Sequence, residues 1–110
     1  MIIATRILKI ASDTENIDVP VTIFAPERAD PDWICRFEIG WTSEPQQKYA
    51  VGIDPIQALL FAMQMIGAEL YASDQHESGR LIWLERGKGY GFPVPASIRD
   101  LLQGDDARFL

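Results

Sequence analysis

The sequence predicts an α+β domain in which one long helix packs on a mainly antiparallel sheet of about five strands. Four segments in the first half of the chain alternate apolar and polar residues with the period of two that strands have. One segment in the second half instead repeats its apolar residues with helical spacing. The 110 residues suffice for one domain but not for two. We therefore assign residues 1–104 to a single domain and residues 105–110 to a frayed tail.

The four strands are separated by short polar segments, so they are expected to form a meander. They are predicted over residues 2–10, 18–25, 33–41 and 47–53. The third strand carries the clearest signal, because alternate residues place one apolar row on the same face. This row consists of Trp33, Cys35, Phe37, Ile39 and Trp41. Pro20 cannot donate to a ladder, which places the start of the second strand at an edge or a bulge.

The long helix is predicted over residues 54–73. Asp54 is a suitable N-cap, Pro55 fits the first helical position, and Gln57 lies three residues after the cap. One apolar stripe should lie on the sheet, and it consists of Ile56, Leu59, Leu60, Met63, Ile66 and Leu70. The other side of the helix is apolar as well, which is unusual for a helix with one solvated face. That second face requires a cover, either a partner or residues 96–110 of the same chain.

Two further elements are predicted after this helix. Residues 80–86 favour a fifth strand, for which both an antiparallel and a parallel placement fit because the strand follows a helix. Residues 96–102 favour a short C-terminal helix. Between them lies Gly87-Lys88-Gly89-Tyr90-Gly91, which has the glycine content of a phosphate-cradling loop but not the spacing of a known phosphate motif. We interpret it as a structural loop that needs positive φ angles.

The charge balance argues against several partners. Sixteen acidic and ten basic residues give a net charge of −6, and no cluster of three basic residues exists to neutralise phosphates. Nucleic acid and anionic membranes are therefore unfavourable partners, whereas a basic protein is a favourable one. No segment has the length and apolarity of a membrane span. The N-terminal residues lack the pattern of a signal peptide, which predicts a cytoplasmic protein.

The chain shows no constellation that predicts catalysis or metal binding. Cys35 lies in the apolar row of a strand, where a thiol is buried and unreactive. His76 is the single histidine and lies in a polar segment, so we interpret it as a solvated loop residue. The acidic pairs are interpreted as solvated turn residues, and they are Asp30 with Asp32 and Asp105 with Asp106. We expect no cofactor, no metal and no catalytic residue.

Several short motifs occur in a particular order along the chain. They are Phe37-Glu38-Ile39-Gly40, Ala50-Val51-Gly52-Ile53-Asp54, Gln57-Ala58-Leu59, Ile66-Gly67-Ala68-Glu69-Leu70, Leu81-Ile82-Trp83-Leu84 and Gly91-Phe92-Pro93. In this order and spacing, over residues 3 to 95, the chain resembles domain-of-unknown-function family 6968, a family of small bacterial proteins. The resemblance implies no catalytic residue. The helix alone also resembles small immunity proteins of bacterial toxin systems.

These observations favour a non-catalytic, acidic protein-binding module. A partner or a second copy, forming a homodimer, would cover the second face of the helix, through Phe61, Met65, Ala58, Ala62 and Ala68, together with Trp41. A sharper form of this hypothesis is an immunity-type inhibitor that binds a basic toxin by charge complementarity. The alternative is a small-ligand-binding protein or an enzyme with a pocket between sheet and helix. The polar groups that would line such a pocket are Tyr49, Tyr90, Arg36 and Lys88.

Overall fold

Six strands form one open antiparallel sheet in the computed structural model, which describes residues 1–110. The strands are β1 (Ile2–Ala11), β2 (Asn16–Phe24), β3 (Glu27–Ala29), β4 (Asp32–Ile39), β5 (Gln46–Gly52) and β6 (Leu81–Ile82). The helices are α1 (Pro55–Tyr71), α2 (Asp74–Glu77), a 3₁₀ helix (Ala96–Leu101) and α3 (Gly104–Phe109). The predicted α+β class is confirmed, with one long helix on the sheet and a short helical segment near the C-terminus.

The meander predicted for the first half of the chain is present. β1 pairs with β2, β4 pairs with β2 and β3, and β5 pairs with β4. β2 and β3 form one interrupted run, because three residues between Ile23 and Glu27 face only two on β4, which makes a bulge. Pro20 lies just beyond the last β2–β4 pair. No β4 residue at that point requires an N–H donor from β2, so the N–H that proline lacks leaves no acceptor unpaired.

β6 is much shorter than the strand predicted over residues 80–86. Only two residues pair, and they run antiparallel to β1 opposite Lys9 and Ile10, so the parallel alternative is wrong. The chain leaves the sheet at Trp83, whose ring stacks 3.9 Å from the Arg6 guanidinium. Leu84 follows with a φ of 62°, a left-handed conformation that no strand can continue. α1 therefore connects the β5 edge of the sheet to the β6 edge.

α1 lies across β4 and β5 with a face that is rotated from the predicted stripe. Ile66 and Leu70 of that stripe are buried, and Leu59 and Met63 are half-buried against the core. The buried residues that face the sheet recur every four positions, and they are Ala58, Ala62, Ile66 and Leu70. Ile56 and Leu60 of the predicted stripe are 78% and 41% exposed. The reason is size, because two alanines let the helix approach the strands more closely than isoleucine and leucine would. The predicted cap is present, since the Asp54 side chain accepts a hydrogen bond from the Gln57 N–H at 2.7 Å.

The rest of this sheet face is covered by the chain itself. Tyr90, Phe92, Val94 and Leu102 are buried in the same core as α1 and the strands. Pro93 lies against Gly67, so this segment also covers part of the second apolar face of α1. No helix is both long and apolar enough to cross a lipid bilayer.

Candidate functional site

Asp106 is the only buried charged residue, with 2% of its surface exposed. Its carboxylate accepts three hydrogen bonds, from the Tyr71 hydroxyl at 2.6 Å and from the backbone N–H groups of Tyr90 and Gly91 at 2.7 Å each. A buried carboxylate is costly unless such donors replace water. The three donors come from α1 and the 87–91 loop, so Asp106 joins α3 to both.

The glycine loop is the reason that two successive N–H groups converge on one carboxylate. Gly89 and Gly91 have φ angles of 90° and 75°, which confirms the predicted need for positive φ. Side-chain atoms would not fit, since a Cβ on Gly89 would lie 2.3 Å from the Asp106 carboxylate carbon. Successive N–H groups in such turns form anion-binding concavities. This loop does cradle an anion, and the anion is a side chain of the same chain.

The C-terminus differs from its sequence prediction. Residues 105–110 were expected to fray, and Asp106 was expected to be solvated. The structure instead places residues 104–109 in α3, with the Asp106 side chain on the buried side of that helix. The Asp105 N–H also donates to the Lys88 carbonyl oxygen at 2.8 Å. Nothing local in the sequence could show this, because every donor to the Asp106 carboxylate lies at least 15 residues away.

Arg6 ties β1 to the same loop. Its Nη1 donates to the carbonyl oxygens of Tyr90 and Gly91, both at 3.0 Å. The guanidinium is also held between the rings of Trp83 and Phe92, at 3.9 and 4.8 Å from their centroids. Burial lowers the pKa of Arg6, and the nearby Asp106 carboxylate offsets part of that shift. The N–H groups of Tyr90 and Gly91 therefore donate to the Asp106 carboxylate, and the carbonyl groups of the same two residues accept from the Arg6 guanidinium.

His76 extends this network toward the surface. It lies in α2, half-buried, and its Nδ1 hydrogen-bonds the Tyr90 hydroxyl, where the sequence predicted a solvated loop residue. Its ring meets those of Tyr71 and Tyr90 edge-on, with centroids 4.8 and 5.5 Å away. Burial lowers the pKa of His76, while burial and then the nearby Asp106 charge raise the pKa of Tyr90 to about 12. In the neutral tautomer that carries its proton on Nε2, the His76 imidazole accepts this hydrogen bond from the Tyr90 hydroxyl.

This arrangement predicts that stability falls in mild acid through His76. The folded state holds the pKa of His76 below its ordinary 6.5, so the unfolded chain takes up a proton first as the pH falls. The contribution is fully present above pH 6.5 and is lost as the pH decreases through the folded pKa. Urea unfolding of the wild type and of His76→Gln at a series of pH values measures it. Parallel pH profiles for the two proteins would contradict the prediction.

The hydrogen-bonding groups of this network all find their partners within the same chain. No buried side-chain nitrogen or oxygen lacks a hydrogen-bond partner. No three histidine, cysteine, aspartate or glutamate side chains lie close enough to hold a metal ion. Tyr90 is 5% exposed, so its ring offers no surface to a substrate. We interpret the Asp106 network as a latch that holds α3 and the 87–91 loop against α1 and β1.

The four predicted ligand-binding residues do not converge. Arg36 and Tyr49 line a shallow groove of about 420 Å³ on the sheet face away from α1. Tyr90 and Lys88 lie in the C-terminal loop, with Tyr90 inside the latch. Core side chains fill most of the space between sheet and helix, among them Cys35, Phe37, Ile39, Ala62 and Ile66 at 0–1% exposure. The cavity that remains there, about 180 Å³ between β1, β2 and Met63 of α1, is lined by none of the four predicted residues. Burial raises the pKa of the Cys35 thiol.

Half of the predicted partner-binding residues are inaccessible. Ala58 and Ala62 lie on the side of α1 that faces the sheet and are fully buried. Trp41 is 8% exposed, and it donates its indole N–H to the Gln46 side chain at 2.8 Å. A partner cannot touch them without unfolding the core. Met65 and Ala68 are half-buried, and Phe61 is exposed.

Other large apolar residues of the same region are exposed instead. We define the α1 surface as Ile53, Ile56, Leu60 and Phe61, which are 75%, 78%, 41% and 38% exposed. They belong to a stretch, residues 49–68, that contains only one charged residue, Asp54. The sequence does not show how α1 is rotated about its axis, because the apolar pattern allows either face to pack on the sheet.

The fold and these features define a class of protein: a small α+β domain with an open sheet, a latched C-terminus and an exposed apolar helix surface. The family model of Domain of unknown function (DUF6968) matches residues 4–94. The chain therefore belongs to the DUF6968 family. No curated protein and no solved structure matches it significantly.

Proposed function

We propose that this protein is a non-catalytic protein-binding module and that the α1 surface is its binding site. The observation that carries the proposal is the exposure of four large apolar side chains in a stretch with one charged residue. Ile56 and Leu60 are one helical turn apart and lie side by side on α1, and exposed apolar surface of this kind marks interaction sites in folded proteins. Covering it is favourable by about 25 cal/mol for each Å² of apolar area removed from water.

The net charge supports a basic partner. A chain with a charge of −6 attracts positively charged proteins over the distance at which encounter begins. In this arrangement the apolar α1 surface supplies affinity, and the acidic remainder supplies a fast association. An immunity-type inhibitor of a basic bacterial toxin is the sharper form of this proposal, and the acidic charge and small size support it.

The small-ligand alternative has weaker support. Its best location is the outer groove beside Arg36 and Tyr49, which is open to solvent. The Arg36 guanidinium already pairs with the Glu27 carboxylate at 2.6 Å. Ligand sites usually combine an apolar cavity with several convergent polar groups. In this groove Gln47 already donates to Glu38, and Lys48 already bonds to Glu69.

The test is capture of a partner by the tagged full-length chain from a lysate of its native host. The double variant Ile56→Glu, Phe61→Glu is expected to capture at least about tenfold less partner than the wild type, because it removes two apolar anchors and places two charges in the interface. Both side chains are exposed, so the variant should remain folded. Quantitative mass spectrometry measures the capture, and circular dichroism checks the fold.

The matched control is Ser97→Glu, which adds a charge at an exposed position of the 3₁₀ helix. It should capture as much partner as the wild type. A wild type that captures no stoichiometric partner would defeat the proposed function. A partner retained by the double variant would show that the binding site lies elsewhere.

A further inference from the structure

The outer edge of β1 is unpaired over residues 2–8. β6 pairs only with Lys9 and Ile10, and the Ala11 N–H donates to the Arg80 carbonyl oxygen. The preceding residues of β1 make backbone hydrogen bonds to β2 alone. In an antiparallel pair, alternate residues direct both backbone groups away from the neighbour. This segment therefore presents a row of unpaired donors and acceptors that another strand could complete.

Little in this segment discourages pairing. Sheet edges are normally protected by charges, proline, bulges or a covering segment. The only charge within residues 2–8 is Arg6, and its guanidinium is turned onto the helix side, where Trp83 and the 87–91 loop hold it. Ile3 and Ile7 are 45% and 46% exposed. A register shift at Ile3 is the single irregularity, and from Ala4 onward the pairing with β2 is regular.

The other long edge of the sheet is protected in the usual way. β5 carries Lys48 at its middle, on the side that faces α1, where it bonds to the Glu69 carboxylate. An inward-facing lysine on an edge strand opposes the addition of another strand. The sheet thus has one protected edge and one open edge, and the open edge is apolar.

We infer that β1 pairs antiparallel with β1 of a second copy of the chain, about a two-fold axis at Thr5. β6 occupies the edge from Lys9 onward, which limits the pairing to residues 2–8 and centres it on Thr5. This interface is on the sheet edge and does not rest on the proposed function of the α1 surface.

The residues that meet in this register are compatible with one another. Thr5 lies opposite Thr5 of the second copy, Ile3 lies opposite Ile7, and Arg6 lies opposite Ala4, so no like charges face each other. Cross-strand pairs of β-branched residues stabilise antiparallel sheets. A two-fold contact of this kind uses the same surface on both copies and closes after two. The result is one continuous sheet across the dimer.

The test uses the position on the axis, where each copy faces itself. Light scattering should give the wild type twice the chain mass of 12.4 kDa. Thr5→Lys and Thr5→Glu should each halve that mass, because two like charges meet. An equal mixture of the two variants should regain the dimer mass, because the lysine of one faces the glutamate of the other. Thr5 is exposed, so each variant should keep the circular dichroism spectrum of the wild type.

Gln47→Lys is the matched control, since it adds a lysine at an exposed position of the β5 edge and should leave the dimer intact. Amide hydrogen exchange of the wild type tests the same interface without a variant, and residues 2–8 should exchange more slowly as protein concentration rises. A wild-type monomer at every accessible concentration overturns the inference. A dimer that survives Thr5→Lys, or one that is lost only in the Ile56→Glu, Phe61→Glu variant, also overturns it.

Discussion

Replacing Asp106 with alanine is expected to lower the free energy of unfolding by about 3 kcal/mol, because three buried donors lose their acceptor. These donors are the Tyr71 hydroxyl and the N–H groups of Tyr90 and Gly91. Each buried donor without a partner costs about 1–3 kcal/mol, and water entering the loosened latch recovers part of the sum. Urea unfolding followed by tryptophan fluorescence measures the change.

Two further variants distinguish the stabilising effect of the Asp106 hydrogen bonds from the effect of simply removing a negative charge. Asp105→Ala removes an exposed carboxylate next to Asp106 on α3 and should change stability by about 0.5 kcal/mol or less. Tyr71→Phe leaves the ring but removes the hydroxyl, which donates to Asp106 and accepts from the Gln103 N–H, and it should cost about 1–2 kcal/mol. Equal effects of Asp105→Ala and Asp106→Ala would show that the buried hydrogen bonds contribute nothing specific.

Replacing Gly67 with alanine is expected to destabilise the protein by about 2 kcal/mol, although alanine is the better helix former. A Cβ at this position would lie 2.0 Å from the Pro93 carbonyl oxygen. The obstacle is backbone, so the 91–95 segment must move away from α1 to relieve the contact. Helix propensity alone would give a gain of about 1 kcal/mol, so the sign of the measured change is decisive.

Gln64→Ala provides the comparison for this variant. Gln64 lies one turn earlier on α1, is half-buried and makes no hydrogen bond to another side chain, so alanine there should change stability by about 0.5 kcal/mol or less. Thermal unfolding of both variants measures the difference. A Gly67→Ala variant that is as stable as the wild type would mean that the 91–95 segment is not packed on α1.

The strands and the long helix could be predicted because their signals are local. Of the predicted alternating row, Cys35, Phe37 and Ile39 form the buried face of β4, while Trp33 is half-buried and Trp41 is buried just beyond the strand. The cap at Asp54 forms as expected. β6 could not be predicted as well, since an apolar run does not show where a chain leaves the sheet. That point depends on the stacking of Trp83 on Arg6, a residue 77 positions earlier in the sequence.

The candidate sites were harder to predict than the fold. Among the predicted partner-binding residues Phe61 is exposed, whereas Ala58, Ala62 and Trp41 belong to the core. Two apolar helix faces look alike in a sequence, and the choice between them depends on which face carries side chains small enough for close packing. The open edge of β1 was missed because a strand pattern does not show how much of an edge its neighbour covers.

The fold class, the meander, the position of α1 and the need for positive φ in the glycine loop could all be predicted from the amino-acid sequence. Each of these follows from side-chain periodicity, capping or backbone sterics within a few residues. The rotation of α1, the burial of Asp106 and the length of β1 that stays unpaired are set by packing between separate elements. These contacts stabilise the protein only once the elements have come together, so no local pattern in the sequence shows them.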